Sequence, residues 1–344
     1  MKSWTLKWRL MSLGIIPLIA FVALSVMTIA KSYRNYSEAQ ELTLKLSTVE
    51  KASLAVHELQ KERGMSASYL SGGKVFSKLT TQRGLASKRL ADLSEDLKVT
   101  AFDEAIVLEL KSLIEKVPEL RKKVDAKALK TPDAVKKYTA VVSRLIQLGN
   151  DTSNQTTMSD VATDLRTLAI LESAKENGGI LRAVVSGTLA RNAPISDKVV
   201  KKIMKLKGGL EANLTSRGLS LSEESSSSIS NLLASKDWKS VENVVLHVIN
   251  NAKQGDYYRD PSAFFSLISK NLDVAGSALA KKRASIKDKV SARVKSERLA
   301  MWGNLAFLLL SMLGISSLVY WNSHTISGQL TRLAKKMEDS SQRL

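Results

Sequence analysis

Two long uncharged segments constrain this chain more than any other feature. Residues 10–30 run for 21 positions without a charged side chain, and residues 299–321 run for 23. About 20 apolar residues are needed to cross the hydrocarbon core of a bilayer. A helix that is apolar on every side does not suit the surface of a soluble domain. The sequence therefore predicts two membrane-spanning helices, with a cleaved signal peptide as the alternative for the first.

The residues that flank these segments predict an orientation. Tryptophan collects at membrane interfaces, and four of the five tryptophans lie at the segment edges: Trp4, Trp8, Trp302 and Trp321. Basic side chains follow the positive-inside pattern: Lys2, Lys7 and Arg9 precede the first segment, and Arg332, Lys335 and Lys336 follow the second. We therefore expect a two-pass protein of the inner (cytoplasmic) membrane. Residues 1–9 and 322–344 are then cytoplasmic, and residues 31–298 are periplasmic.

The composition of the chain excludes several classes of site. The absence of cysteine removes disulfides and thiolate metal ligands, and His57, His247 and His324 are too far apart in sequence to suggest a metal cluster. No nucleophile elbow, phosphate-binding loop or zinc-binding HExxH motif is present. The formal charge of +19 indicates attraction to anions. Because these motifs are missing, we predict that the protein is not an enzyme and binds no cofactor. We also predict no nucleic-acid partner, because the basic surface is expected across the membrane from nucleic acid.

The segment between the two spans has the pattern of a helical bundle. Aromatic residues are 5% of the chain, and five prolines interrupt it. Glycine and proline mark the joints and predict helices at about 31–70, 75–97, 102–127, 131 onward and 154–191, then shorter helices and a last one over 261–298. Pro118 is a predicted kink or break. The first and last helices are expected to continue directly into the membrane spans.

One apolar helix face in this segment is interrupted by an arginine. In HELQKERGMSASYL, residues 57–70, the positions at steps of three and four form one face. This face comprises Ala52, Val56, Leu59, Arg63, Ser66 and Leu70. Arg63 and Ser66 therefore lie where a helical bundle normally places core side chains.

A second interrupted face follows in residues 168–192. Leu168, Leu171, Lys175, Gly178, Arg182, Val185 and Leu189 share it. Lys175 and Arg182 break its apolar character, and Gly178 and Gly179 lie between them. Glycine inside a helix costs roughly 0.5–1 kcal/mol relative to alanine, so the pair suggests that another group approaches the backbone closely.

Three interpretations of the two arginines remain open from the residues alone. Both are surface residues if the helical phase is off by one position. Each belongs to a buried ion pair, for instance Arg63 with Glu62 or Glu176, if the charge is inside. In the third interpretation both guanidinium groups point into one cavity and bind a small anion, because their planar donors match flat oxyanions.

Four stretches together resemble the nitrate- and nitrite-sensing (NIT) domain. The opening of that domain is similar to LQKERGMSASYLSGG followed by FSKLTTQRGLASKRLADL. The next helix of the domain is similar to YTAVVSRLIQL, which begins at Tyr138. AKENGGILRA from Ala174 resembles its second motif, and FFSLISKNLD from Phe264 resembles the aromatic pair that opens its final helix. The similarity runs in order through most of residues 50–280.

This resemblance implies a fold, a ligand and two binding residues. It implies an all-α domain of elongated antiparallel helices, built as two four-helix bundles, found in chemoreceptors, histidine kinases and RNA-binding antiterminators. The family's anion-binding arginines correspond to Arg63 and Arg182, and we expect Ser66, Lys175 and Gly179 to line the same site. The family's glutamate before the second arginine is Leu181 here. That departure makes a small oxyanion a firmer expectation than nitrate itself.

The end of the chain resembles the first helix of a HAMP signalling module. In ISGQLTRLAKKMEDSSQRL, a helical apolar face comprises Ile326, Leu330, Leu333 and Met337. The second helix of such a module would lie beyond Leu344. A fragment of a longer receptor and a receptor without its own output domain both fit.

The function expected from these features is transmembrane sensing. The periplasmic domain would bind nitrate or nitrite, and the protein, as a homodimer, would pass a conformational signal across the membrane, as chemoreceptors do. The alternative is a structural or interaction protein of the cell envelope whose helical domain binds no small molecule.

Overall fold

The computed structural model describes residues 6–341, which form helices joined by short loops and contain no strand. The predicted all-α class is therefore confirmed. The helices in the described residues are α1 Leu6–Leu70, α2 Phe76–Asp96, α3 Glu104–Asp125, α4 Thr131–Gln155, α5 Ser159–Arg191, α6 Asp197–Leu214, α7 Glu223–Ala234, α8 Lys236–Asn250 and α9 Pro261–Ser341. They form two compact units, residues 41–290 and the described parts of residues 1–40 and 291–344.

The helix boundaries differ from the predicted ones in two places. Helix α3 continues through Pro118 without ending there. The segment predicted to begin at residue 154 begins instead at Ser159, since α4 continues to Gln155. Both differences concern boundaries, and the number of long helices before residue 191 is as predicted.

The first half of the larger unit is a four-helix bundle of α1 to α4. Contacts between neighbouring helices join residues in antiparallel order: Gln82 to Glu58, Arg121 to Ser87, Arg144 to Glu109, and Lys45 to Gln155. The fully buried core includes Leu59, Leu79, Leu93, Leu110 and Leu148. Burial of these side chains, about 1.5–3 kcal/mol each, is the main stabilising contribution.

The second half of the larger unit is another four-helix bundle, and two short helices share its third position. Helices α7 and α8 are separated only by Ser235, whose hydroxyl caps α8 by accepting from the Trp238 amide. Both run antiparallel to α9, because Glu224 pairs with Lys281 and Asp237 with Lys270. Helices α5, α6, α7 with α8, and α9 therefore complete the bundle.

The smaller unit contains the amino-terminal part of α1 and the carboxyl-terminal part of α9. The Asn304 amide donates to the Ser32 hydroxyl at 3.0 Å, and the Phe21 and Phe307 ring centroids lie 6.0 Å apart. Large apolar side chains in this unit are exposed, including Leu24, Met27, Leu309, Leu310, Leu313 and Trp321. An apolar surface of this kind does not suit water.

Within the described part of the chain, one helix, Pro261–Met337, is long and apolar enough to cross a membrane by length and composition. It contains the predicted span 299–321. The predicted span 10–30 is only partly described, because its side chains are described from residue 18 onward. Residues 1–5, with Trp4, and residues 342–344 also lie outside it, so the predicted division into membrane and soluble segments stays a prediction.

Candidate functional site

Arg63 is buried and ion-paired at the junction of the two bundles. Its side chain is 2% exposed. Both terminal nitrogens donate to the Glu176 carboxylate, with Nη2 3.0 Å from Oε2, and Nη1 also donates to the Thr139 hydroxyl at 2.8 Å. Gln60 donates a further hydrogen bond to Oε2 at 2.9 Å. Of the interpretations left open by the sequence, a surface location for Arg63 is wrong and a buried pair with Glu176 is present.

The glycine pair on α5 allows two close approaches. A Cβ atom at Gly178 would clash with the Leu272 side chain of α9, so a larger residue there would require Leu272 to move. A Cβ atom at Gly179 would lie 3.6 Å from Nη2 of Arg63, which is ordinary contact. The unfavourable helix propensity of these residues is therefore offset by the close packing of α9 and α1 on α5.

Arg182 is held by α9 through a hydroxyl group and an aromatic ring. Its Nη1 donates to the Ser269 hydroxyl at 2.7 Å, and its guanidinium carbon lies 4.5 Å from the centre of the Phe265 ring. Among the described residues, no carboxylate lies within ion-pair distance of this guanidinium. Burial, and then the nearby charge of Arg63, lower the pKa of Arg182, and the attraction of Asp273 only partly opposes this. The site therefore contains a positive charge that the protein does not compensate.

Lys175 adds a second positive charge without an ion pair in the described structure. Its Cε lies 4.0 Å from the position of a Cβ atom at Gly276, so its stem packs against α9. Burial lowers the pKa of Lys175, while Glu172 and Asp273 attract its charge from a distance.

The arrangement on α5 provides a place for a small anion. Gly179 follows Glu176 and precedes Arg182 by three residues, so it neighbours both on the surface of α5. Because Gly179 has no side chain, Arg63 approaches α5 closely between these two residues. Planar, charged donors of this kind bind flat oxyanions through paired hydrogen bonds. The described residues contain no group of His, Asp or Glu side chains that could hold a metal ion.

Comparison with known proteins agrees with the fold. The family model described as "Nitrate and nitrite sensing" (NIT) matches residues 54–290, more than half of the chain. The chain belongs to the NIT family. A solved structure, that of the NasR transcription antiterminator, is similar with a TM-score of 0.69 and 17% sequence identity, covering 87% of this chain and 83% of that one. No curated protein matches the chain.

The NIT domain places Ser66 outside the contacts of the two arginines. Ser66 is fully buried, and its hydroxyl donates to the Tyr138 hydroxyl at 3.4 Å. Tyr138 in turn donates to the Glu62 carboxylate at 2.7 Å, and this carboxylate receives two hydrogen bonds from Arg121. Glu62 is therefore the partner of Arg121, and the suggested Arg63–Glu62 pair is wrong. A direct role of Ser66 in ligand binding stays a prediction.

Two residues that contact Arg182 in the candidate site were not named as ligand-binding from the sequence. Phe265 covers one face of the Arg182 guanidinium, and Ser269 accepts its hydrogen bond while donating to the Phe265 carbonyl oxygen at 2.6 Å. Both lie within the FFSLISKNLD stretch. The spacing of four residues indicates that they share a helix face, but nothing in the sequence indicates that Arg182 faces them.

Proposed function

We propose that this protein is a transmembrane receptor whose helical NIT domain binds nitrate or nitrite between α1, α5 and α9. Family membership supports the ligand class. The architecture supports the location, because α1 and α5 supply the two arginines and α9 orients one of them. The proposed ligand-binding residues are Arg63, Arg182, Lys175, Gly179 and Ser66.

The observation that carries the proposal is the uncompensated charge of Arg182. Arg182 is half-buried. Burying a charge without a counterion is unfavourable, and the charge of Arg63 adds to this cost. An oxyanion at this position would accept hydrogen bonds from the guanidinium and neutralise it. Ligand binding would therefore remove the unfavourable electrostatic free energy of the Arg182 charge.

The helices at the site also provide a route for a signal. Helix α1 carries Arg63 and is unbroken back to Leu6, and α9 carries Phe265 and continues to Ser341. In the proposed receptor both helices cross the cytoplasmic membrane, with residues 31–298 in the periplasm and residues 322–344 beginning a HAMP-like module. A ligand that favours one packing of α1, α5 and α9 shifts the population of signalling states. We expect the protein to act as a homodimer, as chemoreceptors of this architecture do.

Calorimetric titration of the full-length chain in detergent micelles tests this function. Nitrate and nitrite are expected to release or absorb heat with the wild-type protein, and Arg182→Met is expected to abolish the signal. Arg191→Met is the matched control, because Arg191 is exposed at the end of the same helix and bonds only the Gly187 carbonyl oxygen. Absence of binding by a folded wild-type protein would refute the proposal and favour a structural protein of the cell envelope.

A further inference from the structure

The contact between Arg63 and Glu176 resembles the contact that an oxyanion would make with the same arginine. Two guanidinium nitrogens donate to two oxygens on one planar carbon. Nitrate and nitrite present two oxygens on one planar nitrogen in a similar way. The paired donors of an arginine accept either group, but the same edge of Arg63 does not hold both at once.

Glu176 also lies directly beside the space in which an anion would bind. Glu176, Gly179 and Arg182 follow one another at about 4.5 Å along the axis of α5, from a rise of 1.5 Å per residue. A Cβ atom at Gly179 would lie 3.6 Å from the Arg63 nitrogen Nη2. An anion that binds the paired donors of Arg63 therefore meets the Glu176 carboxylate, in a region where the charges of Arg63 and Arg182 act on each other.

The charges at this position favour binding of either the Glu176 carboxylate or the incoming anion to Arg63, but not both. The Arg63–Glu176 pair is neutral, so an anion that enters next to it is attracted by Arg182 and repelled by the carboxylate. Glu176 is itself 7% exposed, and repulsion between charges is strong where water is scarce. The repulsion is relieved when the carboxylate leaves Arg63 and the incoming anion takes its place.

We propose that Glu176 occupies the ligand position on Arg63 in the empty receptor and that the bound oxyanion displaces it. This inference rests on the proposed function and specifies how the same site is regulated. Displacement removes a buried ion pair that joins α1 to α5 and replaces it with contacts through the ligand. Glu176 thereby lowers the affinity for the anion and makes the α1–α5 contact depend on occupancy.

Removal of the carboxylate charge tests the displacement. In the full-length protein, Glu176→Gln leaves the side chain nearly isosteric but frees Arg63 for the ligand. Allosteric coupling energies typically correspond to factors between about 5 and 150, and the nitrate affinity of Glu176→Gln is expected to rise within that range. Glu172→Gln is the control: Glu172 is equally buried, lies one turn earlier on α5, and bonds Ser53 instead of Arg63.

The outcomes separate this inference from the proposed function. If wild-type protein binds nitrate but Glu176→Gln binds it equally or more weakly, Glu176 merely positions Arg63 and the displacement is wrong. If wild-type protein binds neither anion, the proposed function fails and the inference fails with it. Thermal unfolding provides a second measurement if Glu176→Gln is less stable than wild type. Nitrate should raise the melting temperature of Glu176→Gln more than that of wild type. A smaller rise would overturn the displacement.

Discussion

The two arginines of the candidate site should contribute to stability to very different extents. Arg63→Met leaves the Glu176 carboxylate buried, with only the Gln60 hydrogen bond as compensation. Breaking a buried pair by removing one partner costs about 3–5 kcal/mol. For a unit the size of residues 41–290, at about 2–4 °C per kcal/mol, this corresponds to a fall in melting temperature of about 6–20 °C.

Arg182→Met should have a much smaller effect on stability. The variant loses the hydrogen bond to Ser269 and the contact with Phe265, but it also removes a partly buried charge that has no counterion. These contributions have opposite signs, and we expect a net change within about 1 kcal/mol, or about 4 °C in melting temperature. Arg63→Met is therefore expected to unfold at a lower temperature than Arg182→Met. Arg182→Met is expected to stay folded but to lose nitrate binding.

The assay is thermal unfolding of full-length variants in detergent, followed by circular dichroism at 222 nm without added nitrate or nitrite. The double variant Arg63→Met/Glu176→Leu provides the control, because replacing both partners of a buried pair by apolar side chains is often neutral or stabilising. Recovery of most of the lost melting temperature in the double variant is expected. Equal losses for Arg63→Met and Arg182→Met, or no recovery in the double variant, would show that the charge assignment is incorrect.

Three further predictions concern other parts of the domain. Gly179→Ala should raise stability by about 0.5–1 kcal/mol but weaken nitrate binding by placing a methyl group 3.6 Å from Nη2 of Arg63. Gly187→Ala, which meets nothing within 4 Å, should raise stability in denaturant titrations without changing binding. Asp164→Asn should lower the melting temperature strongly, because it leaves the buried Lys282 ammonium without its carboxylate partner; a loss below about 1 kcal/mol would contradict this. Burial, and then the charge of Lys175, lower the pKa of His57 from 6.5 to about 4. Between about pH 6.5 and pH 4, His57 is therefore protonated in the unfolded chain but not in the folded chain. Stability should decrease over that interval by roughly 1–2 kcal/mol after allowance for solvent screening, and His57→Gln should remove this part of the decrease in melting curves recorded at several pH values.

The sequence was sufficient to predict the helical class and the residues that interrupt the apolar faces. Helix periodicity identified Arg63 as a core position, and the structure buries it. The glycine pair indicated a close approach to α5, and Leu272 and Arg63 make that approach. Both predictions succeeded because they depend on positions within one helix, where the spacing of 3.6 residues per turn fixes the face.

The partners of these residues could not be predicted in the same way. Glu62 and Glu176 were equal candidates for Arg63, and only the rotation of α1 against α5 decides between them. That rotation is set by the packing of the whole core, in which Glu62 faces Arg121 instead. The same reason applies to Phe265 and Arg182, which are distant in sequence and meet only because α9 runs antiparallel to α5.

Ion pairs neutralise several other buried charges of the domain, in contrast to Arg182. Elsewhere in the described interior, Glu62 pairs with Arg121 and Asp164 with two lysines of α9. These pairs show that the fold can bring a counterion to a buried charge when packing is the only requirement. At Arg182 the fold supplies a hydroxyl and an aromatic ring, which hold the guanidinium in place without neutralising it. Such an arrangement orients a cation while leaving its charge available to an anion from outside the protein.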